Sequence, residues 1–145
     1  MIVIQGRKST EHGNAATGNL RKQVPHLLKY APELAAINHG TINVELEKAL
    51  VVARPDFRTD PITWQEQNKD EVFDILRIKF ESKNEREPVD CWVYIAYQSA
   101  HRNNLWHHEI VGPRWLNIVD GEACCIHIDR DSVELPYQAR KVVVI

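Results

Sequence analysis

Two oxygen-bearing side chains, Thr41 and Asn43, stand two residues apart in the stretch GTINVEL. The stretch alternates strictly: Ile42, Val44 and Leu46 fall on one side, Thr41, Asn43 and Glu45 on the other. That is the period of a strand, and it puts Thr41 and Asn43 on one face, about 7 Å apart. A hydroxyl and an amide carbonyl are hard oxygen ligands of the kind Mg²⁺ accepts beside phosphates and water. Gly40, just ahead, would let the chain come close to such a ligand. The plainer reading is the polar face of an edge strand. Glu109 offers a second chemistry. It sits in HEIVGP, a short strand stopped by Gly112-Pro113, where a carboxylate is placed for a pocket rim. A carboxylate there could act as a general base on a bound group; the plainer reading is an exposed strand glutamate.

Between Arg7 and Asn19 the chain is rich in small and polar residues, and reads as a loop of thirteen residues. Ser9, Thr10, Gly13, Asn14, Thr17 and Gly18 could donate hydrogen bonds to phosphate oxygens there, with Arg7 or Lys8 as charge partners. A polar linker is the alternative. Seven histidines invite a metal reading, but His107 and His108 are adjacent and would face opposite ways on a strand. No C-x-x-C is present, and Cys125 with His127 at i, i+2 is one pair on one face. Trp64, Trp92, Trp106 and Trp115 read as core or rim packing. Trp106 and Trp115 flank Glu109 in sequence and could stack on a flat ring bound there.

These residues need elements to hold them. MIVIQG reads as an opening strand stopped at Gly6. LRKQVPHLLKYAPELAAI carries apolar residues at helical spacing, with Pro25 and Pro32 marking segment ends. It predicts one helix after Pro25 and a short turn near Glu33. TINVEL, ALVVA, VFDILRIKFES, VDCWVYIAYQ, HEIVGP, the stretch after Asp120-Gly121 and the final KVVVI read as strands. A bulge is expected near Leu76, where the alternation of VFDILRIKFES changes phase. RWLNI suits one helical turn, and residues 54–71 read as a surface excursion. Six to eight short strands with few helices predict a mainly β barrel.

The chain has 145 residues, which fits a single domain over 1–145. Its net charge of −2 argues against nucleic acid as a partner, although Arg7, Lys8, Arg21 and Lys22 could form a local basic patch. Three cysteines, Cys91, Cys124 and Cys125, suit a reducing compartment. Adjacent Cys124 and Cys125 would point to opposite faces. MIVIQGRKST does not read as a signal peptide, and no apolar run approaches a membrane span. The expectation is a cytoplasmic protein with no membrane partner; composition leaves the oligomeric state open.

Taken together, three stretches resemble the archaeal CTP-dependent riboflavin kinase family. A glycine-ended opening strand, a loop and a helical segment lead to GTINVEL, which is similar to the family's G-T-L-N-V/L strand. HEIVGP resembles its E-I-I-A-P stretch, and LNIVDGEACCIHI its L-x-L-x-D-G-D-x-V-x-I ending. Order and approximate spacing agree over most of residues 1–129. The resemblance implies a closed six-stranded cradle-loop β-barrel with one or two short helices. It implies transfer of a phosphoryl group from CTP to riboflavin, giving FMN. Thr41 and Asn43 would hold Mg²⁺, Gly13, Asn14, Thr17 and Gly18 would touch phosphates, and Glu109 would act as base. The first loop departs from the family's run of close glycines: Ala15, Ala16 and Thr17 lie between Gly13 and Gly18, and Leu20 stands where an aromatic is expected. That departure favours the alternative, a non-catalytic barrel of the same fold that binds a small ligand or a protein partner.

Overall fold

The computed structural model describes residues 1–9, 19–65, 70–98 and 104–136. Six antiparallel strands close into a barrel. They are β1 (Ile2–Lys8), β2 (Ile42–Leu46), β5 (Phe73–Ser82), β6 (Val89–Ala96), β7 (His107–Val111) and β8 (Ala123–Ile128). The order β5-β6-β7-β2-β1-β8 returns to β5 through the β5–β8 pairing, so the six strands form a closed ring. Of the remaining strands, β4 (Phe57–Arg58) pairs with β5 outside the ring, while β3 (Val51–Val52) pairs with β9 (Val133–Glu134). A short helix, α1 (Asn19–Leu27), and two 3₁₀ segments, Pro32–Ala36 and Arg130–Ser132, complete the described fold. Among the described residues no helix is long and apolar enough to cross a membrane.

Alternation along each strand sends one set of side chains inward. Ile4, Val44, Leu76, Ile78, Phe80, Val93, Ile110 and Ile126 are buried together inside the barrel. The outer wall of β5, β6 and β7 carries a second core. There Phe73, Ile75, Tyr94 and Val111 are packed with Leu20, Val24 and Leu27 of α1 and with Leu34 and Ile37.

This second core accounts for two departures from the sequence reading. The register of β5 with β6 runs unbroken from Phe73↔Ala96 to Phe80↔Val89, so there is no bulge at Leu76. The hydrophobic phase changes because Phe73 through Leu76 are buried on both faces, one against the barrel interior and the other against α1. The helix likewise does not wait for Pro25; it starts at Asn19 and runs through that proline. Burial of Leu20, Val24 and Leu27, at i, i+4 and i+7, holds it against the β-wall. The turns beyond are tied by Leu28 N–H to the Val24 carbonyl at 3.0 Å and Ala31 N–H to the Leu27 carbonyl at 2.8 Å.

Other boundaries shift as well. β1 does not stop at Gly6 but pairs on to Lys8. A Cβ on Gly6 would run into the carbonyl oxygen of Glu45, so the glycine is there for close approach to β2 rather than as a terminator. By contrast, a Cβ on Gly40 would meet only Asn38 Nδ2, at 3.8 Å, so no close approach requires that glycine. RWLNI forms a turn closed by Leu116 N–H to the Pro113 carbonyl at 3.1 Å, without a helix. Within ALVVA only Val51–Val52 is strand. Gly121, at φ 80°, makes the turn into β8. The final KVVVI lies outside the described residues.

Candidate functional site

Strand pairing lines up a row of polar side chains on the outer wall. Asn43 of β2 is directly opposite Glu109 of β7, and Glu109 is directly opposite Tyr94 of β6. At the other end of the row the Ser9 N–H donates to the Asn43 carbonyl at 2.8 Å. Side-chain alternation puts this row back to back with the apolar interior face of Val44, Ile110 and Val93. Asn43 and Glu109 are 4% and 5% exposed, so both side chains are withdrawn from water.

Their partners are specific. Thr41 Oγ1 donates to Glu109 Oε1 over a long 3.4 Å. Asn43 Oδ1 lies 3.1 Å from His107 Nε2; an amide oxygen only accepts, so that ring nitrogen carries the proton. The Tyr94 hydroxyl donates to Gln23 Oε1 of α1. Burial raises the Tyr94 hydroxyl pKa, and the negative charges of Glu109 and Glu71 raise it further. Tyr94 is thereby held as a neutral donor at any physiological pH.

Beside this row the barrel wall forks. β6 runs on to Ala96 and β7 starts at His107, yet their pairing covers only Trp92↔Val111, Val93↔Ile110 and Tyr94↔Glu109. Where the ladder stops, a cavity of about 300 Å³ opens, lined by Glu109, His107, His108, Tyr94, Ile95 and Ala96 at the fork and by Leu50–Val52 across it. Its volume is at the lower end of the range for small-molecule sites. Asp74, also on the wall, is held by Arg58 through Nε at 2.7 Å and an Nη at 2.9 Å. The Tyr97 hydroxyl donates to the same carboxylate. The paired carboxylate raises the Arg58 pKa, so this end of the cavity carries a fixed ion pair.

Of the residues singled out from sequence, Thr41, Asn43 and Glu109 share one environment. Of these three only Glu109 lines the cavity, with His107 and His108 beside it; Asn43 is one strand further along the row, with its amide oxygen turned to His107. Gly13, Asn14, Thr17 and Gly18 lie outside the described residues. Trp106 and Trp115 do not line the cavity at Glu109. Trp106 borders a separate depression with Gly6, Arg7 and Glu45, and Trp115, 63% exposed, borders another with Trp92 and Asn84–Asp90. His107 and His108 do point apart: the ring of one meets Asn43, the other donates from Nε2 to the Leu105 carbonyl at 2.8 Å.

Sequence reasoning missed Tyr94, Gln23 and Asp74. Asp74 left a signal, being an acid on the strand face that continues with Leu76, Ile78 and Phe80. Tyr94 left none that separates it from a core aromatic, because its partner Gln23 is distant in the chain.

No protein-family model matches this chain, and no curated protein matches it. What the fold defines is a mainly β protein, a closed six-stranded antiparallel barrel with one short helix.

Proposed function

We propose that this barrel is a riboflavin kinase-like phosphotransferase of the cradle-loop kind, moving a phosphoryl group from CTP to a hydroxyl of riboflavin to give FMN and CDP. One observation carries the reading: Thr41, Asn43 and Glu109 converge on one wall, with Thr41 Oγ1 on Glu109 Oε1 and a cavity at the carboxylate. In this reading Glu109 orients the acceptor hydroxyl and takes its proton as the oxygen bonds to phosphorus. The leaving CDP takes the electron pair of the broken bond. Thr41 and Asn43 supply hard oxygens for Mg²⁺, the ion that would neutralise charge on the transferring group. Asn43 would have to give up His107 to do so. The segment holding Gly13, Asn14, Thr17 and Gly18 joins Ser9, bonded to Asn43, to α1, bonded to Tyr94, which suits contacts to the donor phosphates.

A second reading rests on the same His107–Asn43 contact. With the amide oxygen already engaged, the row is a finished polar network, and the barrel binds a small ligand without turning it over. Thermal unfolding with riboflavin, with CTP and Mg²⁺, and with all three separates the two. A ligand that binds only the folded state at 100 times its Kd adds about 2.7 kcal/mol of stability. The kinase reading expects a shift from riboflavin and from CTP with Mg²⁺. A shift from riboflavin alone favours the second reading, and no shift from any of them overturns the first.

A further inference from the structure

The outer wall carries another cluster at the far end of β5. Glu81 of β5 is directly opposite Cys125 of β8, and His127 is two residues along β8 on the same face. Cys125 Sγ lies 3.1 Å from Glu81 Oε2 and 3.9 Å from His127 Nε2, and that nitrogen lies 2.9 Å from the same carboxylate oxygen. Asp74, on the cavity wall, and Glu81 are at opposite ends of β5, about 23 Å apart along the strand, so the cluster is separate from the site at Glu109.

Two chemistries use cysteine, histidine and a carboxylate together. A nucleophilic thiol needs the imidazole to face sulfur with one ring nitrogen and the carboxylate with the other. Here both partners meet Nε2, so no relay through the ring exists. The three atoms instead surround a common point. Zinc bond lengths of about 2.0–2.3 Å in a tetrahedron set ligand atoms about 3.3–3.6 Å apart; the observed 2.9, 3.1 and 3.9 Å bracket those edges. We propose that Glu81, Cys125 and His127 form a binding site for a thiophilic divalent cation of the zinc class.

Three protein ligands leave a fourth position. The His127 and Glu81 side chains are 24% and 42% exposed, so that position faces solvent and takes a water. The neighbouring cation, Lys79, opposite His127, is paired with Asp90 and does not oppose the incoming charge alone. Burial and the hydrogen bond to Glu81 push the Cys125 thiol up to about 11. Without metal the sulfur therefore keeps its proton; the cation displaces it to solvent and binds thiolate. Cys124 faces the barrel interior and cannot substitute.

Cobalt(II) is the probe, titrated into the full-length chain with a non-thiol reductant. The expected result is one equivalent bound with a sulfur-to-cobalt charge-transfer band, displaced by zinc. Cys124→Ser keeps the band and Cys125→Ser loses it, while Glu81→Gln and His127→Gln weaken binding by about tenfold or more. Circular dichroism confirms that each variant is folded. Absence of the band in the folded wild-type chain, or its persistence in Cys125→Ser, overturns the proposal and leaves a hydrogen-bonded surface cluster.

Discussion

His107 and His108 are neighbours in sequence with opposite surroundings. His108 faces the barrel mouth, donates to the Leu105 carbonyl and is held neutral: burial pushes its pKa down to about 4, which the carbonyl partly offsets and His107 deepens. An unfolded histidine titrates near 6.5. Above that pH neither state binds the proton and His108 adds no pH dependence. As pH falls from about 6.5 through about 4, the unfolded chain takes up a proton the folded one refuses, and stability drops by about 3 kcal/mol in all. Chemical denaturation from pH 7 down to pH 5 is expected to show about 2 kcal/mol of this loss, and His108→Gln, which keeps a donor but cannot titrate, to flatten the slope. An unchanged slope would mean the ring is not buried neutral. That the two histidines diverge was legible from strand period alone. Which of them meets Asn43 was not, because the phase of a short strand depends on what its neighbours bury.

At the level of elements, β5 shows how a two-sided core hides from an alternation pattern. Its first half reads as a phase slip only because α1 covers the outer wall; a helix–sheet contact is a long-range fact that local periodicity does not contain. Pro25 misleads for the same reason, since packing of Leu20, Val24 and Leu27 outweighs the local cost of a proline inside α1. Gly6 makes the converse point: it looks like a stop signal but lets β1 lie against β2. Gly6→Ala is expected to cost about 1–3 kcal/mol, because backbone cannot yield as a flexible side chain does. Gly40→Ala, in open space, is expected to leave stability unchanged or raise it by up to about 1 kcal/mol. Urea midpoints of the two variants check the contrast; equal values would show that β1 and β2 are not in the close contact described.

For the whole molecule, a mainly β barrel was readable from many short runs separated by turn residues, whereas closure of six strands into a ring was implied only by the family resemblance and is made by the β5–β8 pairing. The common wall of Thr41, Asn43 and Glu109 followed from strand parity once β2 and β7 pair in the observed register. The cavity did not, since it arises where two strands of different reach part company, and register between distant segments leaves no local trace. Nor did the seats of Trp106 and Trp115, whose closeness to Glu109 in sequence does not bring them to its cavity. The most direct test of the proposed chemistry is FMN formation from riboflavin with CTP and Mg²⁺, compared between the wild-type chain and Glu109→Gln. The account predicts FMN from the wild type and a rate lower by about 10²–10⁴-fold in the variant, the usual worth of a general base; no FMN from the wild type, or equal rates from both, would contradict it.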